Sequence, residues 1–231
     1  MNSGGSPQTS RQPVRVSGVA KSYDGSVRVL DGVSFAVAAG ELVALLGPSG
    51  CGKSTLLNLI GCIDVPGEGE IFIEDVATSA LRDDALTRVR RDRIGTVFQF
   101  FNLLPTLTIA ENVALPLVLQ GRKKAEVDSR VADALRAVGI AEQACSLPST
   151  VSGGQLQRAA IARATIHEPA IVLADEPTGN LDSRNGELVL DLLAELAARG
   201  QAVLIATHSA EAAARAGRRI HLRDGRIEAV T

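Results

Sequence analysis

The chain has 231 residues, 45% of them hydrophobic, with 24 Lys and Arg against 26 Asp and Glu and a formal charge of −2. That length buries one substantial core, and the near-balanced charge argues against a nucleic-acid binder whose affinity rests on neutralising phosphates, so no nucleic acid is expected as a partner. Three cysteines, odd in number and without paired or metal-ligand spacing, fit a reducing compartment better than a disulfide framework; Cys62 and Cys145 read as small buried hydrophobes.

Residues 1–12, in the polar stretch "MNSGGSPQTSRQP", read as a disordered tail with no apolar segment that would serve as a signal peptide. Apolar and polar residues alternate from Val14 to Val37, interrupted at Asp24-Gly25, which predicts antiparallel strands; "GEGEIFIED" adds another. Three runs are almost continuously apolar instead: Leu42 to Leu46, Ala170 to Ala174 and Ala202 to Ala206. Strands buried on both faces of a parallel sheet have this composition, and the fold class is α/β. All are far shorter than the roughly 20 residues of a membrane-spanning helix, so work at a membrane would go through a partner.

Helices are expected between these runs. "STLLNLIG" follows the first, and the stretch 85–165 is mostly helical, with Val127, Val131, Leu135 and Val138 on one face before Gly139. Leu188, Leu192, Leu193 and Leu196 recur at helical spacing in a segment that stops at Gly200. "RRIHLRDGRIEAV" reads as a hairpin turning at Asp224-Gly225.

Each apolar run ends in residues able to do chemistry: "GPSGCGKST", "DEPTGNLD" and "THS". Ligands of open α/β sheets bind beyond the carboxyl ends of the strands, so the three endings should converge. Gly47 to Ser54 matches G-x-x-x-x-G-K-[ST] between a buried strand and a helix. In such a loop Gly47, Pro48, Ser49, Gly50, Cys51 and Gly52 wrap backbone N–H groups around phosphate oxygens, and the helix through Thr55 adds its positive end. Lys53 brings a charge to the outer phosphates, and the Ser54 hydroxyl is placed for Mg²⁺.

Asp175 and Glu176 are consecutive carboxylates at a buried strand end, costly unless paired or near a metal. Facing a phosphate loop, Asp175 would hold Mg²⁺ through water and Glu176 would act as general base on the attacking water. His208 alone reads as a structural histidine; at this edge it would contact the γ-phosphate and orient the water. Gln99 and Tyr23, taken alone, read as a surface glutamine and a strand-packing aromatic. Alkylation of an accessible Cys51 thiol should block nucleotide binding. The run Arg88 to Arg93 reads as a solvated helical face, with local docking as the alternative. A second glycine stretch, "VSGGQLQR", opens another helix: Gly153 and Gly154 permit close backbone approach, and the helix N-terminus suits an anion.

The loop at 47–54, Gln99, "VSGGQ" at 151–155, "IVLADEPTGNLD" at 171–182 and His208 together resemble, in order and spacing, an ABC transporter ATPase subunit over about residues 14–231. "LGPSGCGKSTLLNLIGCID", "VFQFFNLLPTLTIAENVALPL" and "DEPTGNLD" are similar to the subgroup of macrolide-efflux and lipoprotein-release ATPases. The resemblance implies an ATPase domain over 13–231: a P-loop NTPase core of mostly parallel sheet with flanking helices, an antiparallel β subdomain, and an inserted α-helical subdomain at about 85–165. It implies ATP and Mg²⁺ as ligands, with Tyr23 stacked on adenine, Gln99 touching Mg²⁺ or the attacking water and sensing a membrane partner, and His208 as the switch histidine. Ser152, Gly153, Gly154 and Gln155 match the family signature, with Val151 in place of the usual leucine; they would meet the ATP of another copy, and Asp182 would lie between the two copies. Ser209 stands where relatives often have an acid.

By the same resemblance the chain would form a homodimer around ATP and drive a separate integral membrane permease from the cytoplasmic face of the cell membrane, for efflux or lipoprotein release. The family's groove for the transporter's cytoplasmic helix falls at Phe100, Phe101, Leu103 and Leu104, which otherwise read as core. An importer's ATPase and a non-transport ABC ATPase remain alternatives. A catalytically inactive module is disfavoured by the presence of Lys53, Asp175, Glu176 and His208.

Overall fold

The structure, a computed structural model, describes residues 12–23 and 27–231; the expected tail, except its last position, and the Asp24-Gly25 turn lie outside the described residues. In chain order the elements are β1 (Val14–Tyr23), β2 (Val27–Val37), β3 (Leu42–Leu46), α1 (Lys53–Ile60), β4 (Glu68–Ile73), β5 (Val76–Ala77), α2 (Asp83–Arg93), β6 (Ile94–Val97), α3 (Ile109–Leu119), α4 (Lys124–Ala137), α5 (Gly153–Thr165), β7 (Ile171–Asp175), α6 (Ser183–Ala198), β8 (Ala202–Thr207), α7 (Ala210–Arg215), β9 (Arg218–Arg223) and β10 (Arg226–Val230). Two 3₁₀ turns, Ala141–Gln143 and Pro148–Thr150, link α4 to α5.

The alternating N-terminal residues build an antiparallel sheet in the order β2-β1-β4-β5. Val14, Val16 and Val19 of β1 point inward with Leu30, Ile71 and Ile73, and this face shares one core with Leu56, Leu59 and Ile60 of α1 and with Leu45 and Leu204. The second sheet runs β10-β9-β3-β8-β7-β6. Strands β9, β3, β8, β7 and β6 are parallel, and β10 closes the edge through an antiparallel hairpin. The hairpin turns where expected, with Asp224 and Gly225 both at positive φ, as a type I′ connection requires. Each of β3, β7 and β8 is buried nearly throughout, because α1 covers one face and α6 and α7 the other.

The helix α6 presents a different face from the leucine spacing. Gly186, Val189, Leu190, Leu193 and Ala197 are buried, whereas Leu188 is 44% exposed and Leu192 and Leu196 are half-buried. The buried face is set by Val189, Leu190, Leu193 and Ala197 packing on the sheet, with Leu188, Leu192 and Leu196 on its flank.

Helices α3, α4 and α5 carry a core of their own, including Ile109, Val113, Val131, Leu135 and Ile140. The face of Val127, Val131, Leu135 and Val138 is buried as expected. A Thr108–Glu111 capping box starts α3. The stretch 85–165 also contains β6, which pairs with β7 and belongs to the core sheet. The independently packed helices therefore follow Gln99. The helix α5 faces both ways: Ala159, Ala162 and Ile166 beyond its end join the helical core, while Ile161 and Ala164 pack on the sheet.

Candidate functional site

The strand order β3-β8-β7 sets the three chemistry-bearing ends side by side. Leaving β3, the chain turns through Gly47 to Gly52, and neither end of that turn tolerates a side chain. A Cβ on Gly47 would run into the Leu222 carbonyl; one on Gly52, at φ 108°, would lie 2.8 Å from Leu30 Cδ2 and 2.9 Å from the Val29 carbonyl. Gly52 is the N-cap of α1, no side chain caps that end, and its first turn holds no acid, so its N–H groups remain available to an anion. Lys53 is buried and folds back across the loop, with Nζ donating to the carbonyls of Gly47 at 2.7 Å and Pro48 at 3.0 Å.

Asp175 and Glu176 leave β7 opposite this loop. Burial is the main cause that raises the Asp175 pKa; a hydrogen bond with Ser54 and the charge of Lys53 act against it, and neighbouring Glu176 reinforces it. Glu176 has φ 45°, a left-handed conformation that costs a non-glycine residue about 1–3 kcal/mol and persists only when over-determined. Its restraints come from β8. Glu176 N donates to the Ala206 carbonyl at 2.9 Å, and the carboxylate accepts from Thr207 Oγ1 at 3.0 Å and His208 Nδ1 at 2.8 Å. A carboxylate can only accept when ionised, so the His208 proton sits on Nδ1 in this contact. Glu176 is largely enclosed, whereas His208 is exposed.

His208 thus touches the acid rather than standing apart from it. Thr207, fully buried, opens the "THS" ending, where no separate part was expected of it; its hydroxyl sits at the last position of a strand whose neighbours end in the site, against Glu176. Ser209, at the position where relatives often have an acid, caps α7 and donates to Glu211 at 2.6 Å.

A cleft of about 290 Å³ is lined by Val29, Ser49, Gly50, Gly52, Lys53, Ser54, Thr55, Asp175 and Glu176. At its mouth the Tyr23 hydroxyl hydrogen-bonds Asp64 at 2.9 Å and meets Thr55, while Lys21 Nζ lies 5.1 Å from the ring centroid and also holds Asp64. Burial and then Asp64 push the Tyr23 phenol up. Gln99 does not line the cleft. Its carbonyl accepts from Asn180 Nδ2 at 3.0 Å, and its side chain rests on Gly179, where a Cβ would come 2.8 Å from Nε2.

The second glycine stretch stands apart as well: none of Ser152, Gly153, Gly154 and Gln155 lines the cleft. Ser152 caps α5 in a reciprocal box with Gln155. Val151 packs half-buried against the helical core, as a leucine would. Gly154 is buried against the Asn185 side chain, which a Cβ would overlap, whereas a Cβ on half-buried Gly153 would make only ordinary contacts, 3.7 Å from Leu181 and 3.8 Å from Phe101. Asp182 caps α6, accepting from Asn185 N at 3.0 Å and Asn185 Nδ2 at 2.6 Å, bonds that hold its exposed carboxyl below the usual range. A second depression of about 490 Å³ extends from Glu176 and His208 to Asp182 and Ser183.

Four weaker readings change. Cys145 is exposed, not buried, whereas Cys62 is buried and its thiol is pushed up to about 11 by burial. Cys51 is only 5% exposed, so its thiol is not accessible. Maleimide should therefore label one thiol per native chain, Cys145, and leave nucleotide affinity unchanged; mass spectrometry finding Cys51 modified first would contradict this. Of the arginine run, Arg90 donates to the Cys62 carbonyl at 2.6 Å, Arg91 pairs with Asp92 at 2.7 Å and Arg93 pairs with Glu74, so that face is bonded rather than merely solvated. Phe100 is 71% exposed and Leu104 is exposed too, so core packing describes only Leu103, which packs on the helical core, while Phe101 is half-buried. Nearby, a groove of about 420 Å³ is lined by residues including Arg91, Phe98, Asn102, Leu119, Arg163 and His167.

Comparison with known proteins agrees with this geometry. The family described as ABC transporter matches residues 30–179. A protein of Methanocaldococcus jannaschii, named an uncharacterized ABC transporter ATP-binding protein, MJ0796, is 45% identical over 223 residues, covering 93% of this chain and 95% of its own. Two solved structures are similar at TM-score 0.86 and 43% identity, over 94% of this chain and 97% of theirs. One is a dimeric post-hydrolysis state of the ATP-binding cassette MJ0796 bound to ADP and Pi, the other a dimeric structure of MJ0796 as an ABC transporter cassette.

Proposed function

Because the chain belongs to the ABC transporter family as one of its ATPase cassettes, we propose that two copies bind ATP between them, hydrolyse it to ADP and phosphate, and so drive a separate membrane permease. The observation that carries this reading is the separation of the two glycine stretches. The cleft holds a phosphate loop, a lysine and both acids, but no residue of Ser152 to Gln155; each cleft is then half a site. A head-to-tail twofold pair supplies the missing half twice over. The dimeric relative bound to ADP and Pi supports the same arrangement here.

Within one half-site, uncapped N–H groups of α1 and the Lys53 ammonium would take the phosphates. Lys53 bonds only carbonyls, so a phosphate oxygen gives it a charged acceptor in place of neutral ones. Tyr23 would present its ring to adenine. Glu176 is fixed to accept a proton from water, and His208 and Thr207 hold its two oxygens in place. Among the described residues no group of three His, Cys, Asp or Glu could hold a metal, yet the hydrogen-bonded Ser54 hydroxyl and Asp175 carboxyl form an all-oxygen pair. Such a pair suits Mg²⁺, which keeps waters and substrate phosphates as its other ligands. Ser54 and Asp175 would hold it, without Gln99, which lies outside the cleft, and when bound it would neutralise charge developing on the phosphates. ATP binding favours the closed pair by differential affinity, and hydrolysis removes that preference.

Among the described residues no helix is long and apolar enough to cross a membrane, so attachment would run through the permease, at the groove beside Phe100 on the cytoplasmic face. The wording of the motifs supports efflux or lipoprotein release over import. The test is phosphate release by purified protein at rising protein concentration, with and without a candidate permease in vesicles. Specific activity that climbs with concentration and responds to the permease is expected; hydrolysis strictly proportional to protein would contradict a shared site.

A further inference from the structure

We propose that Gln157 is a positioning residue that links the second glycine helix to the base Glu176, an inference that rests on the function proposed above. Gln157 lies in α5, one turn beyond the cap Ser152, and is fully buried. Its Nε2 donates twice, to the Pro177 carbonyl at 2.7 Å and to the Phe98 carbonyl at 3.3 Å. Pro177 follows Glu176, and Phe98 precedes Gln99.

These two carbonyls lie just past the end of a strand pair. The β6–β7 ladder closes with Val97 opposite Ala174, and beyond it the strands exit towards different parts of the site. One side-chain amide replaces the missing backbone bonds and ties both exits to α5. The Asn180–Gln99 bond closes a second link between the same two exits. Packing alone does not explain an amide here, because Gln157 Oε1 is buried without a partner. A hydrocarbon of the same length would fill the volume and leave no such oxygen, so the N–H donors are what this position provides.

The geometry makes α5 a lever. Its N-terminus carries Gly153 and Gly154, the residues proposed to meet the other copy's ATP, and its next turn grips the backbone beside the base. Glu176 is held at a strained φ, so a small shift of Pro177 changes how the carboxylate is presented. Gln157 acts through that backbone and not on substrate.

Two variants test this. Gln157→Met keeps length and volume without the donors; Asn180→Ala removes the outer link at an exposed position where folding is not at stake. Each should lower kcat, Gln157→Met by about 3- to 30-fold, with KM for ATP near that of the natural chain and the ATP saturation curve less sigmoidal. Ile161→Val, a packing loss in the same helix, should lower Tm without changing kcat. The inference is overturned if both donor variants, folded by circular dichroism, keep kcat and the shape of the saturation curve, or if Ile161→Val reproduces their kinetics. A natural chain that does not hydrolyse ATP would instead overturn the function on which the inference rests.

Discussion

Glu176→Gln lowers ATP turnover by about 10²- to 10⁴-fold, the contribution of a general base, while ATP binding and ATP-driven dimerisation persist. The amide is isosteric, and its oxygen can still accept from Thr207 Oγ1 or His208 Nδ1, the bonds that now hold the carboxylate at 3.0 and 2.8 Å. The Glu176 N to Ala206 O bond, one of the restraints on the unusual φ at this position, is left alone by the substitution. What is lost is an acceptor basic enough to take a proton from water. Single-turnover hydrolysis measured beside nucleotide affinity separates the two effects. Near-normal turnover would remove Glu176 as the base and leave His208, which then could not serve merely as its support.

Gly153→Asp abolishes hydrolysis while sparing ATP binding by the single chain. A Cβ added at Gly153 would make only ordinary contacts, 3.7 Å to Leu181 and 3.8 Å to Phe101, so the branch point of the new side chain fits. It is also the first residue of α5, where a carboxylate is favoured by the helix dipole, so the fold should not suffer. The new charge would face the partner's ATP at the closing interface, where like-charge juxtaposition costs several kcal/mol, enough for a loss of roughly 10³-fold. The neighbouring position behaves differently. Gly154→Ala collides with Asn185 inside one chain, and it should disturb the α5–α6 contact and the Asp182 cap before any dimer forms.

Much of this site was legible because the buried strands announce themselves by composition and each ends in a motif. Their adjacency was only an inference from a general rule of open sheets; it became a fact through the β3-β8-β7 order, which depends on crossovers that local patterning does not encode. Thr207 stood in the "THS" ending with no part of its own, because its bond reaches a residue 31 positions away. The strand β6 spans four residues between a helix and the Gln99 segment, too short for its period to stand out inside a helical stretch. The leucines of α6 misled because leucine also populates the flank of this helix: Val189, Leu190, Leu193 and Ala197 form the face packed on the sheet, and Leu188 is left exposed. Cys145 looked like a core residue by type alone, but it lies in the turn-rich connection between α4 and α5 and is exposed. Residue chemistry alone made the signature a phosphate-type loop; that it would meet another copy's ATP came only through the resemblance, and its absence from the lining of the chain's own cleft agrees with that expectation.

The central claim is that each cleft is completed by a second copy's glycine helix. Sedimentation velocity with Mg²⁺ and ATP on Glu176→Gln, alone and combined with Gly153→Asp, tests it most directly. The account predicts a dimer for the single variant and a monomer that still binds ATP for the double variant. A double variant that dimerises as readily as the single one would show that Ser152 to Gln155 do not close the partner's site.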